Sequence, residues 1–425
     1  MKNSATNLSA LLKQSAEEVR RANPNLAVLD PFDKGQLIGQ AVEAKEGTAV
    51  ALRGAIAKDA SFGYLRGGWI ESWFGGQIVQ EHMLPHALVN AVVEGEQAEV
   101  LVAAARKFAA SRKSGVTEYT PLAGIKLDAL VAVVDGLDIV PWALVPESAR
   151  KQRFSDISDP RRYMFMDFPR LGPTASMAIR HQVPDQTILF ESHDKVGVDR
   201  DARLKERAAR AEQGADLVRA MVAAMHRPIV ALGGWSQFND SFANRMVGER
   251  FQFSEALFDV NMRRAAEVAL DGAATADLFA KLGEMRSGEK EAIRIGLDRL
   301  SLAFRRRTDI DKAIDLGIAL ESMLLHSLSP SDRGELKFRS AIRGSAFLGG
   351  TKQERLEVFN LLKDAYDLRS AAVHTGRFGK DKKRGLSPPQ VLEKAAVVCA
   401  RIARKLIEHT TFPNWETEFV IGRDD

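Results

Sequence analysis

The sequence predicts an α+β multidomain fold. A mixed α/β module covers residues 1–250, a helical connector 251–284, an all-α helical bundle 285–411 and a tail 412–425. Three observations carry this expectation. The chain has 425 residues, enough for two or three domains with sizeable cores. Short β-branched runs bounded by glycine or proline occur in the first part, as at 127–145 and 228–232. After about residue 254 no convincing strand pattern remains, and helical periodicity takes over.

Residues 7–21 read as an amphipathic helix, with Leu8, Leu11, Leu12 and Val19 on one side. Pro24 and Pro31 bracket a break, and 34–45 suits a second helix. Residues 63–76 combine glycine with Tyr64, Trp69, Trp73 and Phe74, just after Phe62, and read as turns and short strands around an aromatic cluster. Residues 85–111 turn helical. Leu127, Leu130, Val131, Val133 and Val134 before Gly136, then Ile139, Val140, Leu144 and Val145, predict strand, turn and strand. A long charged, alanine-rich helix is expected at 201–225. A short buried strand follows at 228–232, ended by Gly233-Gly234. The bundle is expected as helices at about 290–307, 309–327, 331–348, 352–374 and 387–410. The second has a broad apolar face, from Ile310 through Leu316 and Leu320 to Leu325. Ser331-Asp332 and Ser387-Pro388-Pro389 are start signals, and Gly376 is a stop.

Hydrophobic residues are 45% and charged residues 27%, the profile of a soluble globular chain. The net charge of +4 permits an anionic partner without demanding one. Basic residues cluster at Arg305-Arg306-Arg307 and again at Lys380, Lys382, Lys383 and Arg384. Such clusters are as readily solvated helix ends as ligand sites. The single cysteine, Cys399, excludes a disulfide framework and any multi-cysteine zinc site, and its apolar surroundings make it a core residue. Residues 1–20 lack a signal-peptide stretch, and Asp128, Asp135 and Asp138 interrupt the most apolar window. The default expectation is a cytoplasmic protein with no membrane association.

The sharpest chemical feature is Arg369 and His374 at the end of the fourth bundle helix. A guanidinium offers phosphate oxygens a planar fork of donors. An imidazole moves a proton near neutral pH. Spacing alone is weak evidence in a chain with 60 Lys and Arg and 8 His. Arg404 and His409 repeat the separation, and Arg219 and His226 approach it. Arg369 could equally pair with Asp364, Asp367 or Glu321, and His374 could cap the last helical turn.

Context separates the first pair from the others. Three stretches carry it: Asp309–Leu324; Phe338-Arg339-Ser340-Ala341-Ile342-Arg343-Gly344-Ser345-Ala346; and the run from Tyr366 through Arg369-Ser370 and His374 to Gly376. Together they resemble the HEPN superfamily, in its Apea-like branch, over residues 285–411. Thr375 stands inserted before the signature glycine. The resemblance implies an antiparallel helical bundle that often forms a homodimer. Many members are metal-independent ribonucleases used as toxins or in anti-phage defence. Others are non-catalytic modules that bind RNA or protein.

On that reading Arg369 and His374 are the catalytic pair. Tyr366, Lys380, Lys382, Lys383 and Arg384 are candidate RNA contacts, and Glu321 and Asp367 are supporting carboxylates. RNA carries its own nucleophile, the 2′-OH. His374 would act as general base or acid, and Arg369 would hold the non-bridging oxygens. A helix C-terminus favours cations, so the acid role suits His374 as well as the base role. Residues five apart on a helix differ by about 140° around its axis and about 7.5 Å along it. A symmetric dimer relaxes that condition. No cofactor or metal is expected, and the first 250 residues resemble no family, so any trigger they sense is open. His82 and His86 are four apart, as for one metal, but Pro85 argues against a regular helix there. The glycine doublets match no nucleotide-binding fingerprint. The aromatic cluster could stack bases or form a core.

Overall fold

The computed structural model describes residues 2–29, 31–72, 75–155, 174–191, 193–247, 252–254, 268–326, 335–379, 384–415 and 417–418. Its helices are α1 (Lys2–Ala22), α2 (Pro31–Glu43), α3 (Thr48–Lys58), α4 (Met83–Val93), α5 (Ala98–Ser111), α6 (Ala149–Ser155) and α7 (His193–Met225). They continue with α8 (Ser241–Val247), α9 (Gly272–Glu284), α10 (Ser287–Arg305), α11 (Asp309–Leu324), α12 (Leu336–Leu348), α13 (Lys352–Thr375) and α14 (Pro388–His409). The strands are β1 (Trp69–Ser72), β2 (Gly75–Ile78), β3 (Lys113–Ala123), β4 (Ile125–Lys126), β5 (Val131–Val134) and β6 (Leu137–Pro141). After them come β7 (Met177–Thr187), β8 (Leu189–Phe190), β9 (Val230–Ala231), β10 (Gly233–Phe238), β11 (Gln252–Phe253) and β12 (Val268–Ala269). The fold is thus mixed α/β, with an all-helical region after β12. No helix among the described residues is long and apolar enough to cross a membrane.

The chain forms two compact units, each taken from three stretches. The first comprises Met1–Tyr119, His181–Ala208 and Gly234–Gln252; the second comprises Thr120–Arg180, Ala209–Gly233 and Phe253–Asp425. Sequence alone drew the module edge at 250, whereas these units interleave along the chain. Each has its own apolar core.

In the first unit α1 buries Leu8, Leu12, Ala16 and Val19, one stripe at helical spacing, and packs on α3, α4 and α5. Arginines close helix ends whose carbonyls have no partner inside the helix. Arg20 donates to the Val92 and Val93 carbonyls at the end of α4, at 2.6 and 3.1 Å. Arg53 reaches Val42 and Ala44 at the end of α2, and Arg66 reaches Ala57 near the end of α3. β1 lies between β2 and β8, antiparallel to both. β10 pairs antiparallel with β3, and Trp235 stacks on Tyr119 with ring centroids 5.1 Å apart.

Several expectations need correction. β3 escaped sequence reading because its alternating buried positions include Ser114 and Glu118, so no apolar period shows. The expected short strand is β9, Val230–Ala231, which does end before Gly233-Gly234; what was not expected is that these glycines open β10, which pairs with β3 from Trp235 onward. Among the described residues after 254, two are strand: Val268–Ala269 pair in parallel with Ile125 and Lys126, too short a run to leave a pattern. Pro85 does not prevent a helix, because it lies in the first turn of α4, where no N–H is required.

In the second unit β5 and β6 form the expected hairpin through Gly136, pairing Val131 with Ile139 and Ala132 with Asp138. Leu122, Ile125, Leu137, Ile139, Met177 and Ile179 share one apolar core with the bundle, from Leu282 and Ile293 to Ile407 and Trp415. α13 packs against α11, α12 and α14. A capping box of Thr351 and Glu354 starts α13, and Gly376, at φ 63°, stops it as its N–H bonds Ala372 O at 3.2 Å. Ser387 and Gln390 box the start of α14, with Pro388 next. α12 begins at Leu336, and the start signal expected at Ser331-Asp332 lies outside the described residues. Arg343 donates to Leu324 O at 2.7 Å and Lys405 to Phe347 O at 2.6 Å, closing α11 and α12. Cys399 is buried, as its setting implied, and burial pushes its thiol pKa up.

An ion-pair network ties α7 to α10. Asp216, 7% exposed at its side chain, takes Arg294 at 2.7 Å, Arg219 at 2.8 Å and Lys290 at 3.6 Å. Arg219 also meets Glu212 and Asp298. Burial opposes ionisation of Asp216, but hydrogen bonds from Arg294 and Arg219 outweigh it and hold its pKa below the usual range. A lowered carboxyl pKa stabilises the fold above the unfolded value, and that contribution is lost as pH falls through the folded one. Asp216→Asn should therefore cost about 2–4 kcal/mol at pH 7, less than a fully buried pair because both arginines keep other partners. Its deficit should shrink in denaturant titrations repeated below pH ~4. Gly344 packs where an added Cβ would stand 2.6 Å from Leu362 Cδ1 and 3.3 Å from Ile402 and Leu324 Cδ1. Gly344→Ala should lower stability by about 1–2 kcal/mol, crowding exceeding the ~1 kcal/mol helix gain.

Candidate functional site

α13 carries the site, and its apolar stripe decides what faces inward. Leu362, Ala365, Leu368 and Ala372 are buried in the core, and Arg369 follows Leu368 at the edge of that stripe. The aliphatic stem of Arg369 crosses α11 at Gly317. Its Nη2 meets Glu321 Oε2 at 3.3 Å, both side chains being 26% exposed. That is long for a charge-assisted bond. Arg369 Nε and Glu321 Oε1 are buried without a hydrogen-bond partner among the described residues. The guanidinium also lies 5.7 Å from the Tyr366 ring centroid.

The electrostatics are those of a half-buried helix contact. Burial raises the Glu321 pKa, and Arg369 opposes the rise without cancelling it. Burial likewise raises the Tyr366 pKa, assisted by Glu321. His374 is exposed in the last turn of α13, beside the Gly376 cap. Because α13 is unbroken through Thr375, Arg369 and His374 lie about 140° apart around it. Arg369 faces α11 while His374 faces solvent.

The other candidates divide. Of the three carboxylates considered for Arg369, Glu321 is its partner. Asp367 pairs with Lys337 of α12 at 2.5 Å. Arg384 pairs with buried Asp364 of α13, which draws the chain before α14 back against the bundle. Lys380, Lys382 and Lys383 lie outside the described residues. Sequence reading missed the role of Gly317, and it offered Asp364 as a partner for Arg369 rather than for Arg384. Gly317 could have been noticed as the residue one helical turn before Glu321.

The rival pairs have evident structural work. Arg404 donates to Glu408 at 2.8 Å, and His409 packs 5.6 Å from the Phe347 ring. Arg219 belongs to the Asp216 network. Burial, with Arg404 and Arg401 nearby, lowers the His226 pKa. His82 and His86 diverge: His82 Nδ1 lies 3.8 Å from Glu43, and His86 Nε2 lies 3.0 Å from Gly35 O. No group of three His, Cys, Asp or Glu among the described residues is placed to hold an ion. Phe62 is buried under Arg106 at 5.8 Å, and Tyr64 lies under Arg112 at 4.7 Å, while Trp73 and Phe74 lie outside the described residues. Arg306 of the Arg305-Arg306-Arg307 cluster pairs with buried Asp315 at 2.6 Å.

No family model matches the chain, and neither a curated protein nor a solved structure does.

The raised Glu321 pKa implies a contribution present at low pH and lost as pH rises through the folded value. Glu321→Gln should hold or raise the unfolding midpoint at pH 7, by under about 1 kcal/mol. The difference from wild type should vanish near pH ~4 in a pH series of thermal melts.

Proposed function

We propose that residues 285–411 form a HEPN-type, metal-independent endoribonuclease. The observation that carries the reading is a guanidinium held against Glu321 at the bundle flank, followed on the same helix by an exposed imidazole at a capped end. Neutral His374 would take the 2′-OH proton as the 2′-oxygen bonds to phosphorus. Arg369 would hold the non-bridging oxygens as negative charge grows on them. The P–O5′ bond then breaks, and a protonated His374 supplies the proton to the leaving 5′-oxygen. The products are a 2′,3′-cyclic phosphate and a 5′-hydroxyl.

The angular separation on α13 makes a homodimer part of this reading. Two copies related by a two-fold axis can direct the His374 of one and the Arg369 of the other at one phosphodiester. Lys380, Lys382, Lys383 and Arg384 would add backbone contacts, which make binding salt-sensitive. The rest of the chain would restrain or trigger the bundle, as in a toxin or an anti-phage effector acting in the cytoplasm.

A second reading, a non-catalytic module that binds RNA or protein, is favoured by the engagement of Arg369 with Glu321 and by that same divergence.

The purified protein should cut single-stranded RNA with EDTA present and leave DNA intact. Arg369→Ala and His374→Ala should each lower the rate by about 10²–10³-fold with unfolding midpoints retained. Salt-sensitive RNA binding with no product would favour the second reading. A dimer with neither property would leave a scaffold.

A further inference from the structure

We infer that Gly317 is a positioning residue: its missing side chain is the seat that aims Arg369. A Cβ built on Gly317 would stand 2.3 Å from Arg369 Cγ, 3.2 Å from its Cβ and 3.3 Å from its Cδ. Three successive carbons of the arginine stem therefore lie directly on the backbone of α11. Gly317 is one turn before Glu321 on the same helix, so the stem is carried across toward that carboxylate.

A second observation points the same way. Polar contacts do not hold the guanidinium firmly. Its bond to Glu321 is a single long one of 3.3 Å, and Nε has no hydrogen-bond partner among the described residues. Apart from the Tyr366 ring 5.7 Å away, its direction is thus set by packing of the stem. The crowded atoms belong to the middle of the side chain, which cannot swing aside as a flexible tip would. Gly296 and Gly344 also sit at close helix contacts, but their neighbours are Met323 and Ser322, and Leu362, Ile402 and Leu324. Those are ordinary packing glycines, whereas Gly317 abuts the arginine of the proposed site.

The inference rests on the nuclease reading for its consequence in activity, but the seat itself is testable without it. A stability cycle comes first. Gly317→Ala should lower the thermal midpoint when residue 369 is arginine. It should raise the midpoint in the Arg369→Ala background, where the stem is gone and alanine favours the helix. An equal loss in both backgrounds overturns the proposal, because the crowding would then be generic. The double variant keeps the test informative if Gly317→Ala alone does not fold.

The second readout is the titration of the Glu321 carboxyl by carbon NMR in the full chain. Arg369→Ala removes the cation that holds the Glu321 pKa down, so the titration should move up. Gly317→Ala should move it the same way, and Gly344→Ala should not. An unmoved titration in Gly317→Ala also overturns the seat. Where wild type cuts RNA, Gly317→Ala should lower kcat at least tenfold, and unchanged kcat counts against the proposal. Wild type that cuts no RNA retires the nuclease reading, while the first two readouts still decide the seat.

Discussion

The regularity of α13 governs the candidate site. The helix runs without interruption from its capping box at Thr351 to its glycine stop at Gly376. Its buried stripe through Leu362, Ala365, Leu368 and Ala372 fixes its rotation against α11, α12 and α14. Once that rotation is fixed, every other side chain has its direction. Arg369 is carried to the edge of the core and His374 out of it. No local distortion near the C-terminal end brings them together, so the proposed shared chemistry requires a second copy of the chain.

Long basic side chains do much of the joining in this protein. Arg20, Arg53 and Arg66 end helices in the first unit, and Arg343 and Lys405 do so in the second. Each spans from its own element to carbonyls that the helix cannot satisfy internally. Arg219 and Arg294 converge on one buried carboxylate, and Arg306 on another. A mildly basic composition thus conceals how many cations are committed to internal tasks. Arg384, one of the residues suggested as an RNA contact, is anchored to Asp364 in the same manner.

Much of the helical architecture could be read from the chain because local signals agreed with tertiary packing. Ser387 and Gly376 mark real helix boundaries, and the apolar face from Ile310 to Leu325 is the face that α11 buries. The strands were harder. β3 hides behind Ser114 and Glu118, and β12 is two residues long, so neither could produce a period. At the site, Arg369 and His374 were nameable and Glu321 could be offered as a partner among three. The choice among Asp364, Asp367 and Glu321 turned on helix rotation and on the competing cations Lys337 and Arg384, neither of which spacing encodes. Gly317 is marked in sequence only by its place one turn before Glu321, because its contact with Arg369 across two helices leaves no local trace.

The alternation of segments between the two units has a consequence for how the chain comes off the ribosome. The core of the second unit draws on Leu122, Ile139 and Met177 at one extreme and on Ile402, Leu406 and Trp415 at the other. Its early strands must wait, with their apolar faces uncovered, until the last bundle helix and Trp415 have emerged. The first unit can close once residue 252 is free. A nascent chain with residue 252 free but its C-terminal helices still to come therefore contains a finished first unit and an unfinished second one, and the bundle assembles last.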